Sequence, residues 1–264
     1  MLKDITLGQY FPSDTVVHRL DPRTKILLCI VYIVCLFQAD TWLAYGLILI
    51  VTGTIMVLAK IRPSNILKGL KPLLVIIALT CLLNLFYTKG TPVRDRWPIT
   101  YEGIERAVQM MLRIVLLIAG TFILTYTTSP IELTDGLERL MNPLKKLKFP
   151  VHEVSMMMSL ALRFIPTLIK ETDKIMSAQK ARGADFESGN LIRRAKALIP
   201  VLVPLFVSAF RRADELAVAM ESRCYHGGEG RTRMNPLKMN RTDLFALVFG
   251  VILLAGFILL RILL

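Results

Sequence analysis

The sequence lacks any Gly-x-x-x-x-Gly-Lys-Ser/Thr stretch, so it offers no P-loop for a nucleotide. Gly227-Gly228-Glu229-Gly230 is rich in glycine, but it has no lysine and follows a helical pattern rather than a strand, so it reads as a plain loop. No Cys-x-x-Cys pair exists. Cys29, Cys35 and Cys81 lie in apolar runs and Cys224 in a basic stretch, so neither a disulfide framework nor a zinc site is expected. His18, His152 and His226 share no ligand-like spacing, and no metal is expected. No Asp or Glu falls inside the long apolar runs, where a proton- or sodium-coupled carrier keeps one. No cleavable leader is visible, because the first 22 residues are polar and mixed, with Pro12, Asp14, His18, Arg19 and Asp21.

What is present points to a membrane. The 264 residues are 54% apolar, with a mean hydropathy of +0.53, and the apolar residues come in long uncharged runs. Five runs stand out: Ile26–Phe37, Trp42–Ala59, Leu73–Tyr87, Val108–Tyr126 and Leu244–Leu264. A span needs about 20 residues, so the first and third are short. Asp21-Pro22 is a good helix start, since Asp caps and Pro loses nothing at the first position. Trp42 and Trp97 fall at expected interfaces. The net charge of +13 lies beside the spans, which fits a lipid surface better than nucleic acid.

Orientation follows from the basic residues. Lys3, Arg19, Arg23 and Lys25 precede the first span, and Lys60, Arg62, Lys68 and Lys71 are read as the loop after the second. Residues 128–243 carry 19 of the 33 Lys and Arg. With five spans these regions share one side, the cytoplasmic one, which places the N-terminus inside and the C-terminus outside. The opposite side has Gln38–Thr41, with no basic residue, and a loop holding Lys89, Arg94 and Arg96 against Asp95 and Glu102. Arg113 inside the fourth span is costly in lipid, so it is expected to face protein or water, as an ion pair or a carbonyl contact.

Residues 128–243 are too helical for a linker and too apolar to be solvated alone. Ser129-Pro130-Ile131-Glu132 is a capping box, and the stripe of Leu133, Leu137, Leu140, Met141 and Leu144 ends near Asn142-Pro143. A second helix begins near His152. Val154, Met157, Met158, Ala161, Ile165, Leu168, Ile175 and Met176 form its apolar side, while Lys170, Glu171, Asp173 and Lys174 take other faces. Pro166 should kink it, and Gly183 should end it in a left-handed cap. Residues 184–190 read as a turn. A basic stretch, Leu191–Leu198, is followed by Pro200 and Pro204 and then by a third helix from about Leu205 to Arg223. Phe206, Ala209, Phe210, Ala213, Leu216, Ala217 and Met220 line one side of that helix.

Two long amphipathic helices therefore end in Ala181-Arg182-Gly183 and Ser222-Arg223-Cys224. A cation at a helix C-terminus complements the dipole, which is one account of both arginines. The other is that each guanidinium projects into an acidic notch on a partner, where its planar fork holds a carboxylate. The apolar stripes need cover from each other, the bilayer surface or a partner. The expected fold is all-α: a polytopic membrane protein with an N-terminal arm and four transmembrane helices (1–127), a cytoplasmic region of long amphipathic helices (128–243) and a last transmembrane helix (244–264).

These motifs resemble the transmembrane T component of energy-coupling factor transporters, the family that includes the CbiQ-like cobalt-uptake subunit. Gly8-Gln9-Tyr10, followed by His18-Arg19-Leu20-Asp21-Pro22-Arg23-Thr24-Lys25, looks like that family's opening. Ala181-Arg182-Gly183 is similar to its Ala-Arg-Gly motif, and Ser222-Arg223-Cys224 takes the place of the second copy with both neighbours replaced. The resemblance covers nearly the whole chain. It implies a non-catalytic subunit in a prokaryotic cell membrane, seated between two cytoplasmic ATP-binding-cassette ATPases and a substrate-binding membrane subunit. It further implies that ATP and Mg sit on the ATPases, that crossing coupling helices set Arg182 and Arg223 into the two ATPases, and that Met156, Met157, Leu160 and Leu168 touch the substrate-binding subunit.

Two other readings compete. A conventional ABC importer permease would also lack a P-loop, but it docks through one short helix rather than a long paired insert. A membrane-embedded lipid-modifying enzyme would need a cluster of Asp, His or Ser. Glu132, Asp135 and Glu138 are the nearest acidic group, and they fit a capped, solvated helix better.

Overall fold

The computed structural model describes residues 10–91, 100–186, 188–227 and 237–263. Lys3, Gly8, Gln9, Arg94, Asp95, Arg96, Trp97 and Gly228-Glu229-Gly230 lie outside the described residues, with whatever the sequence suggests for them. The helices are α1 (Pro22–Gln38), α2 (Trp42–Leu58), α3 (Pro63–Leu70), α4 (Leu74–Tyr87), α5 (Tyr101–Thr127), α6 (Pro130–Met141), α7 (Val151–Ala181), α8 (Leu191–Glu221) and α9 (Arg241–Leu263). They fall into two compact units. One comprises the described residues of Gly8–Arg139 and Pro236–Leu264, the other those of Leu140–Asn235.

The first unit is a membrane bundle. Among the described residues, three stretches are long and apolar enough to cross a bilayer: Pro63–Tyr87, Tyr101–Thr127 and Arg241–Arg261. The third apolar run is thus longer than the sequence suggests, because α3 and a 3-10 turn at Lys71–Leu73 continue straight into α4. Lys68 and Lys71 accordingly lie within this helical stretch and not in a loop. The helices α1 and α2 have 17 residues each, at the lower edge of what spans a ~30 Å hydrocarbon core. Both are nonetheless integral to the bundle. Cys35 and Leu36 of α1 pack with Ala44, Tyr45 and Ile48 of α2, Leu116 of α5 and Phe257 of α9.

Polar contacts fix the order of traverses. At one end Asp21 caps α1, accepting from the Arg23 amide at 2.9 Å as its sequence promised. Asp243 of α9, fully buried, accepts from the Asp21 amide at 2.8 Å and from the Asn240 amide at 2.7 Å. One carboxylate therefore satisfies orphan N–H groups of two helix starts. The buried Lys25 ammonium donates to the carbonyls of Thr127, at 2.7 Å, and His18, at 2.9 Å. This ties the end of α5 to the N-terminal arm, which also donates from the Phe11 amide to the Tyr126 carbonyl. In that arm, burial holds the His18 imidazole below its ordinary pKa. The neutral ring then donates from Nε2 to the Phe11 carbonyl and accepts from the Thr15 hydroxyl at Nδ1.

At the other end Arg113 of α5 donates to the Ala39 carbonyl at 2.8 Å, lies 3.6 Å from Asp40, and sits over the Phe37 and Tyr45 rings. The intramembrane charge is thus spent on the α1–α2 turn, as a carbonyl and ion-pair contact. Trp42 donates to Glu105, and Arg261 of α9 donates to Gln38. The starts of α1 and α9 and the end of α5 share one end, and their opposite termini share the other. The bundle is therefore crossed an odd number of times. The helix α6 packs on this unit, with Gly136 against Pro22 and Ile26 of α1, and its Ser129–Glu132 capping box forms in both directions.

The second unit is built on α7 and α8, each of 31 residues. Here the structure corrects the sequence. The third long helix does not start near Leu205; α8 begins at Leu191 and runs through Pro200 and Pro204, and α7 likewise runs through Pro166. One of the carbonyls that these prolines leave without a helical donor has a replacement. Pro204 has no N–H to give the Pro200 carbonyl, and Gln179 of α7 supplies one at 3.4 Å.

Replacing Lys25 by Met should leave the Thr127 and His18 carbonyls without their buried donor and cost about 3 kcal/mol. Unfolding in detergent checks this, and an unchanged midpoint would mean that water serves both carbonyls.

Candidate functional site

Three contacts set the direction of the α7–α8 pair. Gln179 meets Pro200, Glu171 meets Ser208 and Arg212, and Met156 receives the Tyr225 hydroxyl at 3.1 Å. Positions fall along α7 as they rise along α8, so the two helices form an antiparallel hairpin. Arg182 then sits at the turn of the hairpin and Arg223 at its open end.

Both arginines are presented by the same backbone device. After α7 the Gly183 amide donates to the Lys180 carbonyl and the Ala184 amide to the Gln179 carbonyl, with Gly183 at φ +88°. After α8 the Cys224 amide donates to Glu221 and the Tyr225 amide to Met220, with Cys224 at φ +57°. Each is a paired 6→1 and 5→2 closure around a left-handed residue. Gly183 takes that conformation freely, whereas Cys224 does so against the clash of its Cβ. The replaced glycine therefore leaves the cap itself intact. Ala181 is the last residue of α7, and the Ser222 hydroxyl donates back to the Val218 carbonyl at 2.7 Å.

Arg182 and Arg223 are exposed. Among the described residues, no ion pair or side-chain hydrogen bond engages either guanidinium. Around the hairpin turn, Arg193, Arg194 and Lys196 are also exposed, and the first turn of α8 holds no acidic residue. Cations at a helix N-terminus oppose its dipole. The cap account fits Arg182 but not Arg193 and Arg194, whereas an acidic partner surface fits all three.

The residues expected to touch a second membrane subunit are spread by the fold. Met157 is exposed, Leu160 and Leu168 are half-buried, and Met156 is partly turned to Tyr225. A further group of exposed apolar side chains lies on α8, at Val203, Phe206, Val207 and Phe210. Sequence reading passed over Asp243, used Lys25 only for orientation and in the family-like opening, and set Glu171 on a helix face without a role. Among the described residues no group of three His, Cys, Asp or Glu is placed to hold a metal.

Comparison with known proteins adds a family. A model of the family described as CbiQ, cobalt transport protein, matches residues 13–234. A protein of Clostridium kluyveri called energy-coupling factor transporter transmembrane protein EcfT is 53% identical over 266 residues, covering 99% of this chain and 98% of that one. Proteins of the same name from Thermosediminibacter oceani and Bacillus subtilis are 52% and 47% identical, covering 98% and 99% of this chain.

The two caps differ in a way that can be measured. Cys224→Gly should strengthen the last turn of α8 by about 1 kcal/mol, and Gly183→Ala should weaken that of α7 by a similar amount. Amide hydrogen exchange at those turns should slow about fivefold in the first variant and quicken about fivefold in the second. Equal protection in all forms would show that the sign of φ does not limit these ends.

Proposed function

The chain belongs to the CbiQ family and is a transmembrane component of an energy-coupling factor transporter, and from that premise we propose that its α7–α8 hairpin couples two ATPases to import. In this reading the chain is a non-catalytic scaffold in a prokaryotic cell membrane, with the hairpin and the N-terminus on the cytoplasmic side. Hydrolysis of ATP and its Mg belong to two ABC ATPases, and substrate recognition to a small membrane subunit. The observation that carries it is the placement of two exposed arginines at opposite ends of one hairpin, each on the same left-handed cap. Because backbone amides already satisfy the terminal carbonyls, neither guanidinium is needed to close its helix.

Geometry supports two sites rather than one. Arg182 and Arg223 each lie eleven residues past the Glu171–Arg212 contact, in opposite directions. At about 1.5 Å per residue they stand roughly 33 Å apart, too far for one shared notch. An arginine set into an acidic groove gains from bidentate geometry, and the surrounding Arg193, Arg194 and Lys196 add steering at the turn. The exposed apolar side chains of α7 and α8, Met157 and Phe210 among them, suit a membrane subunit that must shift while remaining bound.

Arg182→Glu together with Arg223→Glu should abolish ATP-driven uptake while membrane insertion persists, and one reversal should hurt less than two. Co-purification of the tagged chain with the two ATPases in mild detergent reads the cause. Wild type should retain both ATPases and the double variant should lose them. Retention by both forms would assign docking to the apolar helix faces, and uptake at the normal rate by the double variant would sink the arginine reading.

A further inference from the structure

One polar cluster in the hairpin serves neither the caps nor the docking ends. Glu171 of α7 accepts from the Ser208 hydroxyl and, at 2.9 Å, from the Arg212 guanidinium, both on α8. The carboxylate and guanidinium are half-buried between the two helices, with side chains 24% and 33% exposed. Gln179 to Pro200 and Tyr225 to Met156 are further polar links in the hairpin.

Apolar stripes alone are poor at fixing register. Two amphipathic helices with a repeat of three and four can slip by one turn, about 5.4 Å, and still bury similar surface. An ion pair removed from water adds little net stability over apolar residues of the same size. Its best-attested use is to select one alignment, since slippage leaves both charges desolvated and unpaired. The contact is also central: Arg182 and Arg223 lie eleven residues from it along their own helices and in opposite directions, each roughly 16 Å away.

Resting on the coupling reading above, we propose that Glu171, Ser208 and Arg212 form the fulcrum that locks α7 and α8 in register, so that displacement of one arginine end is passed to the other. These are positioning residues; they touch neither the ATPases nor the substrate. Without the lock each helix would answer its own ATPase, and part of the motion would be lost as sliding inside the hairpin.

The test uses the whole transporter, with both ATPases and the substrate-binding subunit, in proteoliposomes. Uptake and ATP hydrolysis are measured together for Glu171→Gln, Glu171→Arg, the exchange Glu171→Arg/Arg212→Glu, and the apolar pair Glu171→Leu/Arg212→Met. The single variants should retain both ATPases and hydrolyse ATP within twofold of wild type, while substrate moved per ATP falls about tenfold. The charge exchange should recover most of that ratio, and the apolar pair should not. Glu171→Gln is nearly isosteric and carries the comparison should Glu171→Arg fail to assemble. A normal transport ratio in the single variants overturns the fulcrum alone, as does recovery by the apolar pair, which would mark the cluster as mere packing. A wild-type chain that carries no ATPase overturns the coupling reading and the fulcrum with it.

Discussion

Every helix end in this chain leaves backbone amides or carbonyls that the helix itself cannot pair. Where such an end is buried away from water, other groups must pair them. The membrane bundle meets that constraint with charged side chains. Lys25 serves the Thr127 and His18 carbonyls, Arg113 the Ala39 carbonyl, and Asp243 the Asp21 and Asn240 amides. Each of these reaches from one helix to the terminus of another. Satisfying the backbone and fixing the order of traverses are therefore one act, and removing a single side chain disturbs both.

The hairpin meets the same constraint differently. Its two C-terminal ends are closed by their own amides, around Gly183 and Cys224. That choice frees the neighbouring cations. Had Arg182 been needed on the last carbonyls of α7, it could not also reach outward. Here the guanidinium has no such duty, and the cap holds its base still while leaving the fork free. Inside the helix, where Pro204 removes a donor, α8 receives one from Gln179.

How much of this was legible follows from the range of each interaction. The Asp21 cap, the Ser129–Glu132 box and the Gly183 ending are set within a few residues, and each appears as its sequence implies. The apolar runs were also legible by composition, though the third extends back to Pro63 and three stretches of the described residues reach the length of a span. The unbroken course of α8 was not. Two prolines within five residues argue for a break, and the donor that reaches the Pro200 carbonyl comes from 21 positions away. Asp243 was hidden for a related reason: it borders an apolar run, where it reads as the polar edge of a span, and its partner lies 222 positions back. Glu171 looked like an exposed charge on a helix face until a second helix was laid beside it.

The two units thus use charge for opposite ends, and this bears on which one moves. In the bundle, charges are buried on backbone groups, an arrangement with one low-energy solution and a large penalty for leaving it. In the hairpin, most charge is exposed and the apolar faces of α8 stand open at Phe206 and Phe210. Such a unit can change its cover without breaking its own backbone bonds. What it cannot tolerate is loss of alignment between its helices, because both arginine ends are referred to the same point. A hairpin aligned at the Glu171–Arg212 pair can be pushed at its ends and still keep its length. That is the property a coupling subunit requires, and it arises here from where the charges are buried rather than from how many there are.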